Sequence, residues 1–206
     1  KEELGAAKIH TRNGAIDDEV ASEEEAFARA RAFLSYLPSS SDELPPVVDC
    51  TDDPQRRDEA LLELVPKDPR QVFKMRTVID AVLDQDSFFE IGRNWGKSII
   101  TGLGRLNGVP VALFAENPLV YGGAWTADSC RKLIRLIDLA ATFHLPLVHL
   151  EDCPGFLIGK QSEENATIRY GSQVLAALGI SVQTLAGTVG RRVPVVTSLI
   201  IVALGG

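Results

Sequence analysis

The stretch TGLGRLNGVPVALFAENPLVYGG, Thr101 to Gly123, sets five glycines, an Asn-Gly pair and two apolar runs side by side. Two readings compete for it: a phosphate-cradling loop, or a hairpin followed by a glycine turn. A dinucleotide fingerprint needs its glycines to open a helix directly after a strand. Here Gly102 and Gly104 run on into strand-like sequence, and Gly108 falls one place too late for GxGxxG. Asn107-Gly108 supplies instead the two positive-φ residues of a type I′ turn, joining SIITGLGRL to VPVALFAE. The dinucleotide reading fails and the hairpin stands.

Downstream, TADSCRKLIRLIDLAATF reads as a helix capped by Thr126 or Asp128, with Leu133, Leu136, Ile137 and Ala140 on its apolar face. Gly122 and Gly123 stand just before its N-terminus, where free backbone N–H groups can hold developing negative charge on an oxygen. LPLVHLED then reads as a strand, CPGFLIG as a turn, NATIRYGSQVLAAL as a helix and RRVPVVTSLIIVAL as a further strand ending at Gly205-Gly206. This is a βα-repeating layout with a glycine turn at each strand end. Side chains suited to acid–base or nucleophilic work are sparse beside those turns. His149, Glu151 and Asp152 cluster in VHLED, but alternation sends His149 and Glu151 to one face and Asp152 to the other, which reads as the polar rim of a strand end.

Upstream, GAIDDEVASEEEAFARARAFLSYL places Ala26, Phe27, Ala30, Phe33, Leu34 and Leu37 on one helical stripe. Ser22 is its N-cap, and Glu23 to Glu25 favour the helix dipole from the first turn. PSSSDELPP, Pro38 to Pro46, breaks all periodicity and marks a linker. Beyond it Val72, Met75, Val78, Ile79 and Val82 recur at helical spacing, in a helix ending near Asp84.

Hydrophobic content of 45% is that of an ordinary globular chain, and a net charge of −7 speaks against a nucleic-acid backbone as partner. Cys50, Cys130 and Cys153 lie far apart, with no CxxC, which suits a reducing compartment. Cys130 and Cys153 with His144 and His149 have irregular spacing for zinc, and buried thiols and packed imidazoles are the reading preferred, with no metal. The longest apolar run, VPVVTSLIIVALGG, is too short to span a bilayer and reads as a core strand. No signal peptide is visible, and the missing initiator Met and abrupt end suggest a fragment.

Taken in order, G-x-x-R-L-x-G-x-P-V, N-x-P-L-V-x-G-G-A, A-D-S, P-L-V with D-x-P-G-F-x-x-G, and I-R-x-G make a specific pattern. It resembles the carboxyltransferase (β) subunit of biotin-dependent acyl-CoA carboxylases, over about residues 1–37 and 70–178 and more weakly over 193–206. The resemblance implies an α/β fold of crotonase-like ββα spirals, with residues 1–44 as the end of an N-domain and its linker and 45–206 as most of a C-domain. It also implies transfer of CO2 from carboxybiotin to the α-carbon of an acyl-CoA, with backbone oxyanion holes and the biotin nitrogen itself as base. Carried over, Gly122, Gly123 and Ala124 form one oxyanion turn, Gly205 and Gly206 begin the second after VPVVT, and Pro154, Gly155 and Phe156 line the biotin channel. The implied partners are a biotin carboxylase and biotin carboxyl carrier subunit, in a homo-oligomer built as a hexamer, a trimer of dimers. The implied location is cytoplasmic, or the mitochondrial matrix in a eukaryote.

Two departures stand out. Gly179 to Arg192 makes the stretch before VPVV about ten residues too long, and SLIIVALGG lacks the family's usual basic residues. Alternatives are the α subunit of a biotin-dependent acyl-CoA decarboxylase, running the transfer in reverse, and a non-catalytic scaffold subunit.

Overall fold

A computed structural model of the chain describes residues 2–53, 55–59, 61–64, 66, 68 and 71–188. Its helices are α1 (Glu2–Gly5), α2 (Ala7–Asn13), α3 (Glu23–Leu34), α4 (Leu61–Leu64), α5 (Met75–Val82), α6 (Ala127–Thr142), α7 (Lys160–Glu164) and α8 (Thr167–Thr188). Four strands, β1 (Phe89–Ile91), β2 (Ile99–Leu106), β3 (Val109–Glu116) and β4 (Leu147–Leu150), lie in that order in one sheet.

The hairpin forms as read. Strands β2 and β3 pair antiparallel from Leu106↔Val109 to Ile99↔Glu116, with Asn107 and Gly108 at φ 50° and 78°. Asp84 clamps the turn by accepting the N–H of Asn107 at 2.8 Å and of Gly108 at 2.7 Å. Asp52 accepts the Gln85 N–H at 2.7 Å and pairs with Arg56, so the one potential ligand group among the described residues, Cys50 with Asp52 and Asp84, is already tied to backbone and guanidinium.

Strand β4 joins β3 in parallel after α6 has crossed the sheet face, completing a ββαβ unit. Period-two alternation sends Ile99, Leu103, Ala112 and Phe114 to one face, against Leu133, Leu136, Ile137 and Ala140 of α6 and Val174 of α8. Ile100, Val111, Leu113, Ala115, Val148 and Leu150 face the other way, onto Met75, Val78 and Ile79 of α5. Both faces are covered, which is why β2 and β3 read as almost unbroken apolar sequence. The α/β layering agrees with the sequence reading.

Caps form where the sequence places them. The Ser22 hydroxyl accepts the Glu25 N–H at 3.2 Å. Thr126 rather than Asp128 caps α6: its Oγ1 accepts from Ser129 N–H at 3.1 Å while Ser129 Oγ accepts from Thr126 N–H at 2.8 Å.

Three expectations are corrected. Only part of the α3 stripe is buried: Phe33 and Leu37 pack against the core, whereas Phe27 and Leu34 are exposed by 53% and 62%. The helix touches the molecule along one edge, where Arg29 also lies over the Phe89 ring. Val72 stands outside α5 and is exposed. The helix read over NATIRYGSQVLAAL does not stop at Leu178: α8 continues past Gly179 to Thr188. The expected strand over 193–204, with Gly205 and Gly206, lies outside the described residues. Among the described residues no helix is long and apolar enough to cross a membrane.

A buried amine sits beside this core. Lys132, 3% exposed, donates from Nζ to the carbonyls of Trp95 at 2.9 Å and Gly92 at 3.3 Å, pinning that loop to α6. Burial drives its ammonium down to about 7, with Arg76 adding to the shift and Glu90 and Asp17 opposing it. The folded value lies below the unfolded one, so from pH 7 upward the unfolded chain holds the extra proton and stability rises with pH until both forms are neutral. Relative to Lys132→Met, the wild type should gain on the order of 2 kcal/mol between about pH 7 and pH 9 in urea unfolding. Parallel pH profiles for the two proteins would contradict this.

Candidate functional site

Strand β3 ends at Glu116, and the chain then turns through Asn117 to Ala124 before α6 begins. Tyr121, Gly122 and Gly123 adopt left-handed φ of 53°, 60° and 82° in succession. The Gly123 N–H closes on Val120 O at 3.0 Å and the Ala124 N–H on Tyr121 O at 3.1 Å. Both donors are therefore engaged inside the turn. Gly122 is exposed, and among the described residues none accepts a hydrogen bond from its N–H. Of the turn predicted from sequence, Gly122 holds the available donor, while Gly123 has a packing role. A Cβ at Gly123 would lie 2.7 Å from Asp152 O and 3.0 Å from Glu116 Cβ.

The second predicted turn lies alongside. Trp125 N–H donates to Gly155 O at 3.0 Å, and Leu157 N–H to Trp125 O at 2.9 Å, a parallel bridge between Trp125 and Phe156. Their rings meet edge to face with centroids 6.0 Å apart. Gly122, Gly123, Ala124, Pro154, Gly155 and Phe156 thus come together in two stitched turns. Gly205 and Gly206 lie outside the described residues.

Beneath both turns is a residue that the sequence reading passed over. Glu116 is fully buried. Its Oε1 accepts from Trp125 Nε1 at 3.0 Å and lies 3.0 Å from His149 Nε2, and its Oε2 accepts from the Asp152 N–H at 3.1 Å. Burial pushes the Glu116 carboxyl up, but His149, Trp125 and the Asp152 N–H outweigh it and hold the group below the usual carboxylate range. His149 stacks on Phe114, its register partner in β3, with ring centroids 4.0 Å apart. The polar-rim reading of His149 is corrected: the ring is turned inward to a buried carboxylate. A faint signal existed, a carboxylate ending a two-sided apolar strand two residues past the position that pairs with a histidine on the next one.

The neighbouring thiols are unreactive in character. Burial raises Cys130 to about 12 and, with the carboxylates around it, Cys153 to about 11. Beside the two turns an open cleft of about 650 Å³ runs between Ser98, Tyr121, Asp128, Leu157 and Ser162. The arrangement offers a backbone donor at Gly122 and, beside it, a cleft with room for a small ring, bordered by Tyr121, Val120 and Leu157. Among the described residues it offers no activated nucleophile.

Residues 1–186 match the Carboxyl transferase domain, and the chain belongs to that family. The propionyl-CoA carboxylase beta chain of Roseobacter denitrificans is 37% identical over 192 residues, covering 93% of this chain and 38% of that protein. The alpha subunit of methylmalonyl-CoA decarboxylase from Veillonella parvula is 34% identical over 177 residues, 85% of this chain and 35% of that one. The crystal structure of transcarboxylase 12S, a hexamer with methylmalonyl-coenzyme A and methylmalonic acid bound, matches with a TM-score of 0.84 at 29% identity, over 87% of this chain and 35% of that chain. The chain spans little more than a third of the length of these relatives.

Proposed function

We propose that the protein carrying this chain transfers a carboxyl group from carboxybiotin to the α-carbon of an acyl-CoA thioester, and that the chain supplies the biotin side of the site. The observation that carries this reading is the exposed, unengaged Gly122 N–H, held in a rigid left-handed turn beside the Pro154–Phe156 turn, in a member of the carboxyl transferase family. A neutral cyclic urea suits such a site: its carbonyl needs a donor and its ring needs an apolar wall. Biotin, when bound, supplies the carboxyl group and a ureido nitrogen that accepts the acyl α-proton.

What the chain's own residues contribute is positioning and polarisation. Gly122 N–H is the donor for an oxygen gaining negative charge, Trp125 and Phe156 wall the ring, and Gly123 fixes the angle of the donor. Preorganised donors of this kind act without reorganisation during the reaction. In this reading residues 1–44 close an N-domain and 45–206 belong to a C-domain, both of the crotonase-like ββα spiral type. Gly205 and Gly206 begin the second donor turn, and the acyl-CoA is held by the N-domain of another subunit in a hexamer. Biotin arrives on a carrier subunit loaded by a biotin carboxylase, in the cytoplasm or, in a eukaryote, the mitochondrial matrix. The 34% identity to a decarboxylase subunit favours the reverse direction as a second reading.

The test uses the full-length protein with its carrier and carboxylase subunits, ATP, labelled bicarbonate and a panel of short acyl-CoAs. Acid-stable label in the acyl-CoA is the expected result. Folded, assembled protein that fixes no label with any of them, and releases none from the carboxylated thioesters, would overturn the reading.

A further inference from the structure

We propose that Glu116 is a positioning residue for carboxyl transfer: one buried carboxylate sets the placement of the Gly122–Ala124 turn against the Pro154–Phe156 turn. The inference rests on the function proposed above.

A carboxylate with no exposure is held in a protein only where hydrogen bonds replace its water. The donors here come from two stretches of the chain: the indole of Trp125 beyond the first turn, and the 149–152 stretch, which gives the ring of His149 on β4 and the backbone of Asp152 ahead of the second turn. The β3–β4 pairing stops at Ala115↔Leu150, and beyond it the backbones of the two turns meet in the single Trp125↔Phe156 bridge. Glu116 continues the connection past the end of the ladder. Each turn then rests on it directly. The first is fastened through Trp125, whose backbone bridges to Gly155 and Leu157 and whose ring packs on Phe156. The second is fastened through the Asp152 N–H, two residues before Pro154. Gly123 fits into the remaining space, over Glu116 Cβ and Asp152 O. His149, stacked on Phe114, keeps its Nε2 within reach of both carboxylate oxygens, at 3.0 and 3.2 Å.

The chemistry of the hub is specific to a carboxylate. Trp125 and Asp152 are both obligate donors, one to each oxygen. Glutamine has a single acceptor oxygen, so whichever way its amide turns, its NH2 faces one of those two N–H groups. Each turn loses its acceptor in one of the two amide orientations, so both are loosened while the packing volume is unchanged.

Glu116→Gln and Trp125→Phe in the full-length, assembled protein provide the test, with propionyl-CoA as the acyl probe and carrier-borne biotin as the other varied substrate. Glu116→Gln should lower kcat/KM for the biotin carrier about tenfold or more and leave the KM for propionyl-CoA within about twofold, because only the biotin side has moved. Backbone hydrogen exchange should speed up about tenfold in both 119–126 and 152–158 and remain unchanged in β2. Equal losses on the two substrates, or exchange that rises in only one turn, would overturn the proposal. Should Glu116→Gln fail to fold, Trp125→Phe removes one donor and keeps a ring against Phe156; it should give the same one-sided loss, severalfold in size, and unaltered kinetics and exchange would overturn the proposal equally. A wild type that transfers no carboxyl group refutes the proposed function, while the exchange measurement still decides whether Glu116 couples the two turns.

Discussion

Replacing Gly123 by valine should lower carboxyl transfer by about two to three orders of magnitude while leaving a folded protein. The effect has two sources on the same atom. At φ 82° a β-branched residue is a genuine backbone outlier, so the turn must change conformation to accept it. Its Cβ would also stand 2.7 Å from Asp152 O, a backbone atom held by neighbouring structure, and 3.0 Å from Glu116 Cβ. Either adjustment swings the adjacent Gly122 N–H, the donor on which the reaction depends. The turn lies outside both core clusters, so global stability should fall less than turnover. Rapid-quench measurement of turnover beside a thermal melt separates the two quantities, and a folded Gly123→Val protein with normal turnover would sink the donor assignment.

A large loss of stability should come from Gly102→Val. Gly102 lies in β2 opposite Glu90 of β1, and a Cβ there would meet Phe89 O at 2.5 Å and the Phe88 ring at 2.6 Å. Valine favours strands in general, but here its side chain occupies space already taken by a paired backbone, so β1 has to peel away. With β1 goes the support it gives Arg29, which donates to Glu90 O, and Tyr36, whose hydroxyl donates to Ser87 O. We expect a cost of about 3 kcal/mol or more, seen as a shifted denaturant midpoint or as insoluble protein. A midpoint within about 0.5 kcal/mol of wild type would show that the sheet edge yields without penalty.

These two glycines show what the sequence discloses and what it withholds. The type I′ turn was legible because Asn107-Gly108 carries its own backbone requirement, independent of tertiary context. The apolar face of α6 was legible for a similar reason, since helical period suffices to define it, whereas its cap stayed open between Thr126 and Asp128 until the Ser129 hydrogen bonds decided it. The α3 stripe misled because periodicity reports which residues could be buried together, not whether anything is there to bury them; only Phe33 and Leu37 find the core. The helix was read only as far as Leu178, yet a single glycine costs a helix only about 1 kcal/mol, and α8 runs on through Gly179 to Thr188.

At the candidate site the predicted turns were identified by resemblance, and their geometry adds a division of labour that residue letters do not carry. Gly122 and Gly123 look equivalent in sequence. One leaves its N–H free and the other spends it on Val120 O. Glu116 escaped notice because a carboxylate at the end of a strand ordinarily points to water. Its burial comes from Trp125, beyond the next turn, and from the start of the loop after β4, which only the folded sheet brings to it.

The central claim is that this chain handles the biotin half of a carboxyl transfer through a backbone donor. It is tested most directly in a single turnover, with the carrier carboxylated in advance, no ATP present, and the full-length protein mixed with an acyl-CoA that supports steady-state turnover. The account predicts that the label leaves the carrier only when the thioester is present and appears in an acid-stable carboxyl group on it, about a hundredfold or more faster for wild type than for Gly123→Val. Label lost from the carrier as bicarbonate at the same rate with and without the thioester, with none recovered in carbon–carbon linkage, would contradict it.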